Sequence, residues 1–290
     1  MQTKEQLHQD FGKIFKEIRL SRNMSLQEVS EGIVSVSQLS RFERGISNVT
    51  INIFYECLNR MNTTVNEFLL ISQNYNLSDD LQFFENLSKA IESHNIVKLE
   101  TIVSHCQNLQ KQNPNVKKYQ LNLTAAKAHY LFLHDNRMLK ATELQFLTDY
   151  LFSVDEWGSY ELNLFTVCVD FFQADMLDVF ASEMLARTQF YSNVPENRTI
   201  VQRMLLKVIR ICILDDNLQL ARRFITYLEH IDIPDTYVYE KILIKFNRAF
   251  YSYRLGYSNA MSDIQECLSV LKSLECYSVV ETLEKDLQKL

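Results

Sequence analysis

Residues 25–45, SLQEVSEGIVSVSQLSRFERG, predict two short helices joined by a tight turn. Ser25 is followed three positions later by Glu28, the spacing of a capping box, so the first helix begins there. Gly32 marks the turn. The second helix begins near Ser35 and ends at Gly45, a residue type that suits the left-handed backbone after a helix. This segment therefore has the layout of a helix-turn-helix.

The second helix has two chemically different sides. Apolar residues recur every three positions and are expected to face a core: Val36, Leu39 and Phe42. Polar residues fall on the opposite side: Ser37, Gln38 and Arg41. An ordinary surface helix with solvated polar residues would share this pattern, but the capped preceding helix, the turn and the glycine stop together favour a helix that reads DNA.

The polar residues match the chemistry of base edges in the major groove. Gln38 can bond adenine N6 and N7 together, Arg41 can bond guanine O6 and N7, and Ser37 can bond a base or a phosphate. Gln38 and Arg41 lie three positions apart and so can reach the same groove. We predict base contacts from Ser37, Gln38 and Arg41, with Ser35 as a further candidate at the helix start.

Helices are also predicted on both sides of this pair. Apolar spacing indicates one over 4–22 before it and two after it, over 51–60 and 65–71. A five-helix DNA-binding domain is thus expected over 1–72. Residues 73–80 are polar and helix-poor and are expected to be a linker.

The remaining residues, 81–290, predict about ten helices that pair into hairpins and stack. Apolar stripes at helical spacing recur along this region, for example Leu81, Phe84, Leu87 and Ile91, and later Ile264, Cys267, Leu268 and Leu271. With 5 glycines and 3 prolines among 290 residues, the chain has too few turn formers for a β sandwich or barrel. We expect an all-α protein whose C-terminal domain, 81–290, is a superhelix of degenerate tetratricopeptide-like hairpins.

Charge and cysteine usage narrow the classes of function. The net charge of −6 argues against nonspecific coating of nucleic acid, whereas the first 72 residues hold eight basic and eight acidic residues and are neutral. The six cysteines are far apart and are expected to be reduced and buried, although Cys57 could form a redox-sensitive bridge between subunits.

Motifs for catalysis or cofactor binding are missing from the sequence. It has no membrane-length apolar run, no metal-ligand spacing, and no glycine-rich phosphate or nucleophile motif. We therefore expect neither an enzyme, nor a cofactor, nor a metal site, and we expect no association with a membrane.

The segment with SLQEV at 25–29 and SQLSRFERG at 37–45 closely resembles the helix-turn-helix domains of the Xre/Cro/CI superfamily. The resemblance implies that Gln27 and Asn48 bind DNA phosphates, and Arg44 is expected to do the same. It also implies a structural ion pair between Arg19 and Glu43.

The whole chain is similar to the Rgg family of regulators, also called GadR/MutR, through VSVSQLSRFERG at 34–45 and DEWGSYEL at 155–162. This resemblance implies a cytoplasmic homodimer that binds double-stranded operator DNA. It also implies that the helical-repeat domain binds a short hydrophobic signalling peptide, as in quorum sensing, and thereby controls transcription.

A stacked helical domain offers a concave face for such a peptide. Side chains that could satisfy a peptide backbone or carboxylate are Arg137, Arg203, Arg210, Asn247, Tyr251 and Arg254. A solvated face or ion pairs within the scaffold would explain the same residues. Two other functions also remain open: a DNA-binding regulator with a small-molecule or protein ligand, and an interaction adaptor without DNA contact.

Overall fold

The computed structural model describes the backbone of residues 4–75, 78–172, 174–187, 195–231 and 233–289. Side chains are described for a smaller set: 11–75, 78–172, 176–180, 182–183, 198–231 and 233–289. Every regular element in these ranges is a helix. The chain divides into two compact units, Met1–Gln82 and Phe83–Leu290. The all-α class predicted from the sequence is confirmed.

The first unit contains the helices α1 Lys4–Ser21, α2 Leu26–Ser30, α3 Val36–Glu43, α4 Ile51–Arg60 and α5 Val65–Ser72. The helix positions predicted over the first 72 residues agree with these bounds within about two residues. Side chains from all five helices meet in one core, in which Phe15, Val29, Leu39, Cys57 and Leu58 are fully buried. The core therefore joins the helix-turn-helix, α2 and α3, to the helices on both sides of it.

One prediction about α3 was wrong. Leu39 and Phe42 are buried, but the side chain of Val36 is 43% exposed. Val36 is the first residue of α3, a full turn before Leu39, and the end of the helix there is open to solvent. Periodicity assigns a side of the helix correctly but does not say how far along its length the core extends.

Helix α6 crosses the boundary between the units, and the second unit further contains helices α7 to α16 and a short 3₁₀ helix, Val169–Phe171, between α10 and α11. Their bounds are α6 Asp79–Glu92, α7 Ile96–Gln112, α8 Lys117–Asp135, α9 Ala141–Ser153, α10 Ser159–Cys168, α11 Ala174–Arg187, α12 Pro195–Leu214, α13 Leu218–Glu229, α14 Val238–Arg254, α15 Ala260–Ser273 and α16 Tyr277–Leu287. α6 begins at Asp79 and so includes the last two residues of the linker predicted over 73–80. Leu81 in its first turn is 44% exposed, so the apolar stripe predicted to begin there starts at Phe84 instead.

The helices of the second unit are packed as successive hairpins. α7 packs on α8, α12 on α13, and α14 on α15. In addition, α10 contacts both α8 and α12, and α12 contacts α14, so α8, α10, α12 and α14 form one continuous layer. The stacked hairpins expected from the spacing of the apolar stripes are thus present.

The segment at 155–162 spans the connection between α9 and the start of α10. Trp157 lies between α9 and α10, is 1% exposed, and donates its indole N–H to the carbonyl of Leu151 at 3.0 Å. The hydroxyl of Tyr160 donates to Oδ1 of Asn122 on α8 at 2.8 Å. Both aromatic residues therefore fix the packing between helices, as buried aromatics with a polar partner commonly do.

Candidate functional site

The first helix of the pair, α2, is fixed at its start by side chains of the predicted capping box. The amide of Glu28 donates to Oγ of Ser25 at 3.2 Å, and the amide of Ser25 donates to Oε2 of Glu28 at 2.7 Å. These bonds to Ser25 lower the pKa of Glu28, so its carboxylate stays charged and keeps accepting. The predicted start of α2 is confirmed.

Both ends of α3 are also fixed locally. Oγ of Ser35 accepts from the amide of Gln38 at 3.2 Å, which makes Ser35 the N-cap. At the other end Gly45 has φ +70°, and its amide donates to the carbonyl of Phe42 at 2.8 Å. The amide of Ile46 reaches the carbonyl of Arg41 at 2.9 Å, which completes a Schellman motif. Helix α3 therefore begins and ends at fixed residues.

The three side chains predicted to contact bases project from the same solvent-exposed side of α3. Ser37, Gln38 and Arg41 are exposed, while Leu39 and Phe42 on the other side are 0% and 6% exposed. A serine hydroxyl, an amide and a guanidinium thus stand together on a helix held by its apolar side. That arrangement can donate to and accept from base edges in a major groove.

A buried ion pair connects α3 to α1. Nε of Arg19 lies 2.6 Å from Oε1 of Glu43, and the second guanidinium nitrogen Nη2 lies 2.8 Å from Oε2. Both residues are 6% exposed, and the hydrogen bond to Glu43 raises the pKa of Arg19. The pair predicted from the family resemblance is present, and its bidentate geometry fixes the angle of α3 as well as its position.

The residues expected to bind phosphate lie before α3, at its end and in the loop that follows it. Gln27 is the second residue of α2, Arg44 is the C-cap of α3, and Asn48 lies in the loop between α3 and α4. All three side chains are exposed. Arg44 also donates to the carbonyl of Ser40 at 3.2 Å, so its guanidinium is held at the end of α3. Their roles toward phosphate stay predictions.

The structure contradicts the redox hypothesis for Cys57. Its side chain is 0% exposed in the core of the first unit, and burial raises the pKa of the thiol to about 11. A reactive cysteine needs access and thiolate character, and Cys57 has neither. Cys57 cannot form a bridge between subunits without disruption of this core. Cys106, Cys168, Cys212 and Cys267 are likewise buried, and Cys276 is half-buried.

Five of the six candidate peptide-binding residues lie on the neighbouring helices α12 and α14. Arg203 and Arg210 belong to α12, and Asn247, Tyr251 and Arg254 belong to α14. Tyr251 is half-buried against the core. The sixth, Arg137, lies elsewhere, in the loop between α8 and α9.

Each of the candidate arginines has an acidic partner within the fold. Arg203 Nη2 lies 3.0 Å from Glu240, Arg210 Nε lies 3.1 Å from Asp286, and Arg254 Nη2 lies 3.2 Å from Asp216, while Arg137 pairs with Asp135. Scaffold ion pairs thus account for part of this chemistry. A ligand carboxylate at any of these arginines would have to compete with the acidic partner.

Several helices of the second unit carry buried polar residues. Among the described residues they are Asn122, Thr124 and His129 on α8, Thr148 on α9, Gln202 on α12, Glu240 and Asn247 on α14, and Asp286 on α16. Gln202, which was not among the predicted site residues, is 1% exposed and has no hydrogen-bond partner at either polar atom among the residues described. Oδ1 of Asn247 is unpartnered in the same way. A polar residue inside an apolar stripe was the signal that could have found Gln202.

The fold and the exposed polar side of α3 together define a transcriptional regulator of the helix-turn-helix class. Residues 15–68 match the family described as Helix-turn-helix. Residues 103–285 match the family described as HTH-type transcriptional regulator Rgg, C-terminal domain. Because the second match spans more than half of the chain, the protein belongs to the Rgg family.

Solved structures of low sequence identity share this fold along nearly the whole chain. The SHP pheromone receptor Rgg2 of Streptococcus dysgalactiae is 22% identical with a TM-score of 0.77, over 97% of this chain and 99% of that one. A protein from Listeria monocytogenes EGD-e is 18% identical with a TM-score of 0.81, over 97% and 98%. PrgX in its complex with cCF10 is 14% identical with a TM-score of 0.70, over 97% and 99%.

The length and apolar character of the helices bear on membrane insertion. Within the described ranges, none of them combines the length and the apolar character that a bilayer crossing requires.

Proposed function

We propose that this protein regulates transcription by placing α3 in the major groove of a specific operator. Ser37, Gln38 and Arg41 contact base edges, and Ser35 contributes at the start of the helix. The observation that carries the proposal is the exposure of these side chains on a helix whose other side is locked into the core by Leu39. Local caps and a buried ion pair hold the helix in one orientation, which direct readout of bases requires.

Phosphate contacts set the register of α3 on the duplex. Gln27 before the turn, Arg44 at the end of α3 and Asn48 in the following loop are exposed at three points around the helix. Each can donate to a phosphate oxygen. Contacts on both sides of the reading helix would fix its depth and angle in the groove.

The protein acts as a homodimer in the cytoplasm. One reading helix offers only a few base contacts, and the first 72 residues, which carry no net charge, gain little from nonspecific attraction to DNA. Two copies that bind half-sites about 34 Å apart, or a multiple of this distance, would double the specific contacts. Operator affinity then comes from two modest reading heads rather than from one strong one.

The second unit binds a short apolar peptide and couples it to DNA binding. Structures of similar fold are described as the pheromone receptor Rgg2 and the PrgX/cCF10 complex. A buried amide without partners costs about 1–3 kcal/mol, and peptide groups could supply the missing bonds to Gln202 and Asn247. Tyr251 could contact the peptide as well, and Arg203, Arg210 or Arg254 could hold its carboxylate. Arg137 is separate from this group and would contact only another part of the ligand.

The DNA proposal is tested by Gln38→Ala and Arg41→Ala in the full chain. Each change should weaken binding to operator DNA by about 1–3 kcal/mol, because one bidentate base contact is lost, while folding stays intact. Fluorescence anisotropy with operator and with scrambled DNA measures the effect. Lys16→Ala serves as a control, since it removes an exposed charge from α1. Equal operator affinity of both variants and the parent would remove these two residues from the site.

The peptide proposal is tested by calorimetry with short synthetic apolar peptides. Asn247→Ala should reduce peptide affinity about tenfold through loss of the amide contact, with little change in DNA binding in the absence of peptide. Thermal unfolding of the variant checks that the second unit is intact. If no apolar peptide binds and small molecules bind instead, the ligand belongs to another chemical class and the peptide proposal is wrong.

A further inference from the structure

The first helix of the pair is too short to satisfy its own carbonyl groups. α2 has five residues, and the last four carbonyls of any α-helix lack an intrahelical partner. Backbone amides reach two of the carbonyls near its end: Glu31 donates to Gln27, and Ile33 donates to Ser30 at 2.9 Å. The carbonyls of residues 28, 29 and 31 are left to side-chain donors or to water.

α4 supplies those donors from one of its sides. Nη1 of Arg60 donates to the carbonyl of Glu28 at 3.3 Å and also to the carbonyl of Glu31. The thiol of Cys57, one turn earlier on α4, lies 3.8 Å from the carbonyl of Val29 and donates weakly to it. Since burial raises the pKa of Cys57, its thiol keeps the proton that this bond needs. Arg60 and Cys57 are thus a side-chain cap for a helix about thirty positions earlier in the chain.

The end of α2 leads into the reading helix through a short turn. Glu31 is the C-cap of α2 and the first residue of the turn, and Ser35 begins α3 only four positions later. Gly32, in between, has φ +72°, and because glycine lacks a Cβ atom the backbone at this point could adopt other conformations as well. A donor that holds the carbonyl of Glu31 restricts that freedom at the point where the turn begins.

We propose that Arg60 is a positioning residue for DNA reading, and that it acts by clamping the C-terminal end of α2 and thereby the entry into α3. This inference rests on the proposed function of α3. Arg60 is exposed, and its bonds lie at the surface, so water can take its place at both carbonyls. Loss of Arg60 therefore relaxes the turn without unfolding the domain. The consequence falls on base selectivity rather than on stability.

An exposed arginine near a reading helix could instead contact a phosphate, and salt dependence separates the two roles. Loss of one phosphate contact lowers the slope of log affinity against log salt by about one and weakens all sequences alike. Loss of a positioning residue leaves the slope unchanged and lowers only the preference for operator. Arg44→Ala, which removes the same charge at a predicted phosphate contact, provides the comparison.

The experiment measures the affinity of the full chain for its selected operator and for scrambled DNA at several salt concentrations. Arg60→Ala should reduce the preference for operator over scrambled DNA about tenfold, while the slope of log affinity against log salt stays equal to that of the parent. Arg60→Gln retains an N–H donor without the charge and should recover part of the preference. If Arg60→Ala does not fold, the slope of log affinity against log salt of Arg60→Gln still distinguishes a positioning role from a phosphate contact.

The outcomes separate this inference from the function on which it rests. A parent protein without any operator preference refutes the proposed function itself. A parent with operator preference, together with an Arg60→Ala variant of equal preference, overturns the role of Arg60 alone. A slope reduced by about one in both Arg60 variants also overturns it and makes Arg60 a phosphate contact.

Discussion

At the residue scale, Gly12 permits the close approach of α1 to the reading helix. A Cβ atom built on Gly12 would lie 2.1 Å from the carbonyl oxygen of Phe42 in α3. The obstacle is backbone rather than a flexible side chain, so only a shift of one helix could relieve the contact. The absence of a side chain at this position therefore sets how near α3 packs to α1.

Gly12→Ala should destabilise the first unit by about 1–3 kcal/mol or more. Alanine favours a helix over glycine by up to about 1 kcal/mol, but the clash with a carbonyl outweighs that gain. Urea unfolding measures the change, and Lys16→Ala at an exposed position of α1 is the matched control. A more stable Gly12→Ala variant would mean that α1 and α3 are not packed as described.

Sequence alone predicts the residues of α2 and α3 that act locally. The capping box of Ser25 and Glu28 and the stop at Gly45 involve neighbours within a few positions, so their pattern is visible in one segment. The Arg19–Glu43 pair spans 24 positions and was accessible only through the family resemblance. The interior glycine Gly12 signals a close contact but does not identify Phe42 as the partner.

At the element scale, the angle of α3 depends on three independent attachments. Leu39 and Phe42 hold its apolar side, the Arg19–Glu43 pair ties it to α1, and Arg60 restrains the turn before it. The first attachment is nondirectional, whereas the ion pair and the clamp specify an orientation. The proposed reading of DNA by α3 requires a fixed orientation, and the buried pair supplies one.

Glu43→Gln should destabilise the first unit by about 3 kcal/mol, because it leaves the buried guanidinium of Arg19 without its countercharge. Glu17→Gln is the matched control, since Glu17 is exposed and lies 4.0 Å from Lys13, where an ion pair contributes little. Thermal unfolding measures the loss of stability in each of the two variants. If the two variants had equal effects, the buried pair would not be a structural anchor.

At the scale of the whole molecule, the second unit combines an apolar core with buried polar groups on several helices. One of these groups, His129 on α8, titrates in the acidic range. Its Nε2 lies 2.6 Å from the carbonyl of Val167 and donates to it, so the neutral ring keeps its proton on that nitrogen. Burial lowers the pKa of His129 from its ordinary value of 6.5 to about 4. The folded chain therefore holds this ring neutral at physiological pH.

Acid should destabilise the protein through His129. Between pH 6.5 and about 4 the unfolded chain binds a proton at this residue that the folded chain does not. Stability is therefore fully present above pH 6.5 and falls by about 3 kcal/mol as the pH drops to 4. His129→Gln should remove this dependence, and His105→Gln, at an exposed position, should keep it. An unchanged pH profile of unfolding in His129→Gln would contradict the assignment.

The layout of the second unit was predictable from sequence only in part. Apolar stripes such as that of Ile264 and Leu268 indicate that a helix is buried and on which side. They do not say which helices meet, because contacts such as Arg210 with Asp286 join residues far apart in the chain. Polar residues suited to a peptide could therefore be named, but their acidic partners could not.

The central claim, that the exposed side of α3 reads bases, is tested most directly by selection of binding sites from randomised DNA. The parent chain and the Arg41→Ala variant are compared under identical salt conditions. We predict that the variant loses its preference for guanine at one position of each half-site and keeps the others, because one arginine reads one base. An unchanged set of base preferences would contradict the claim.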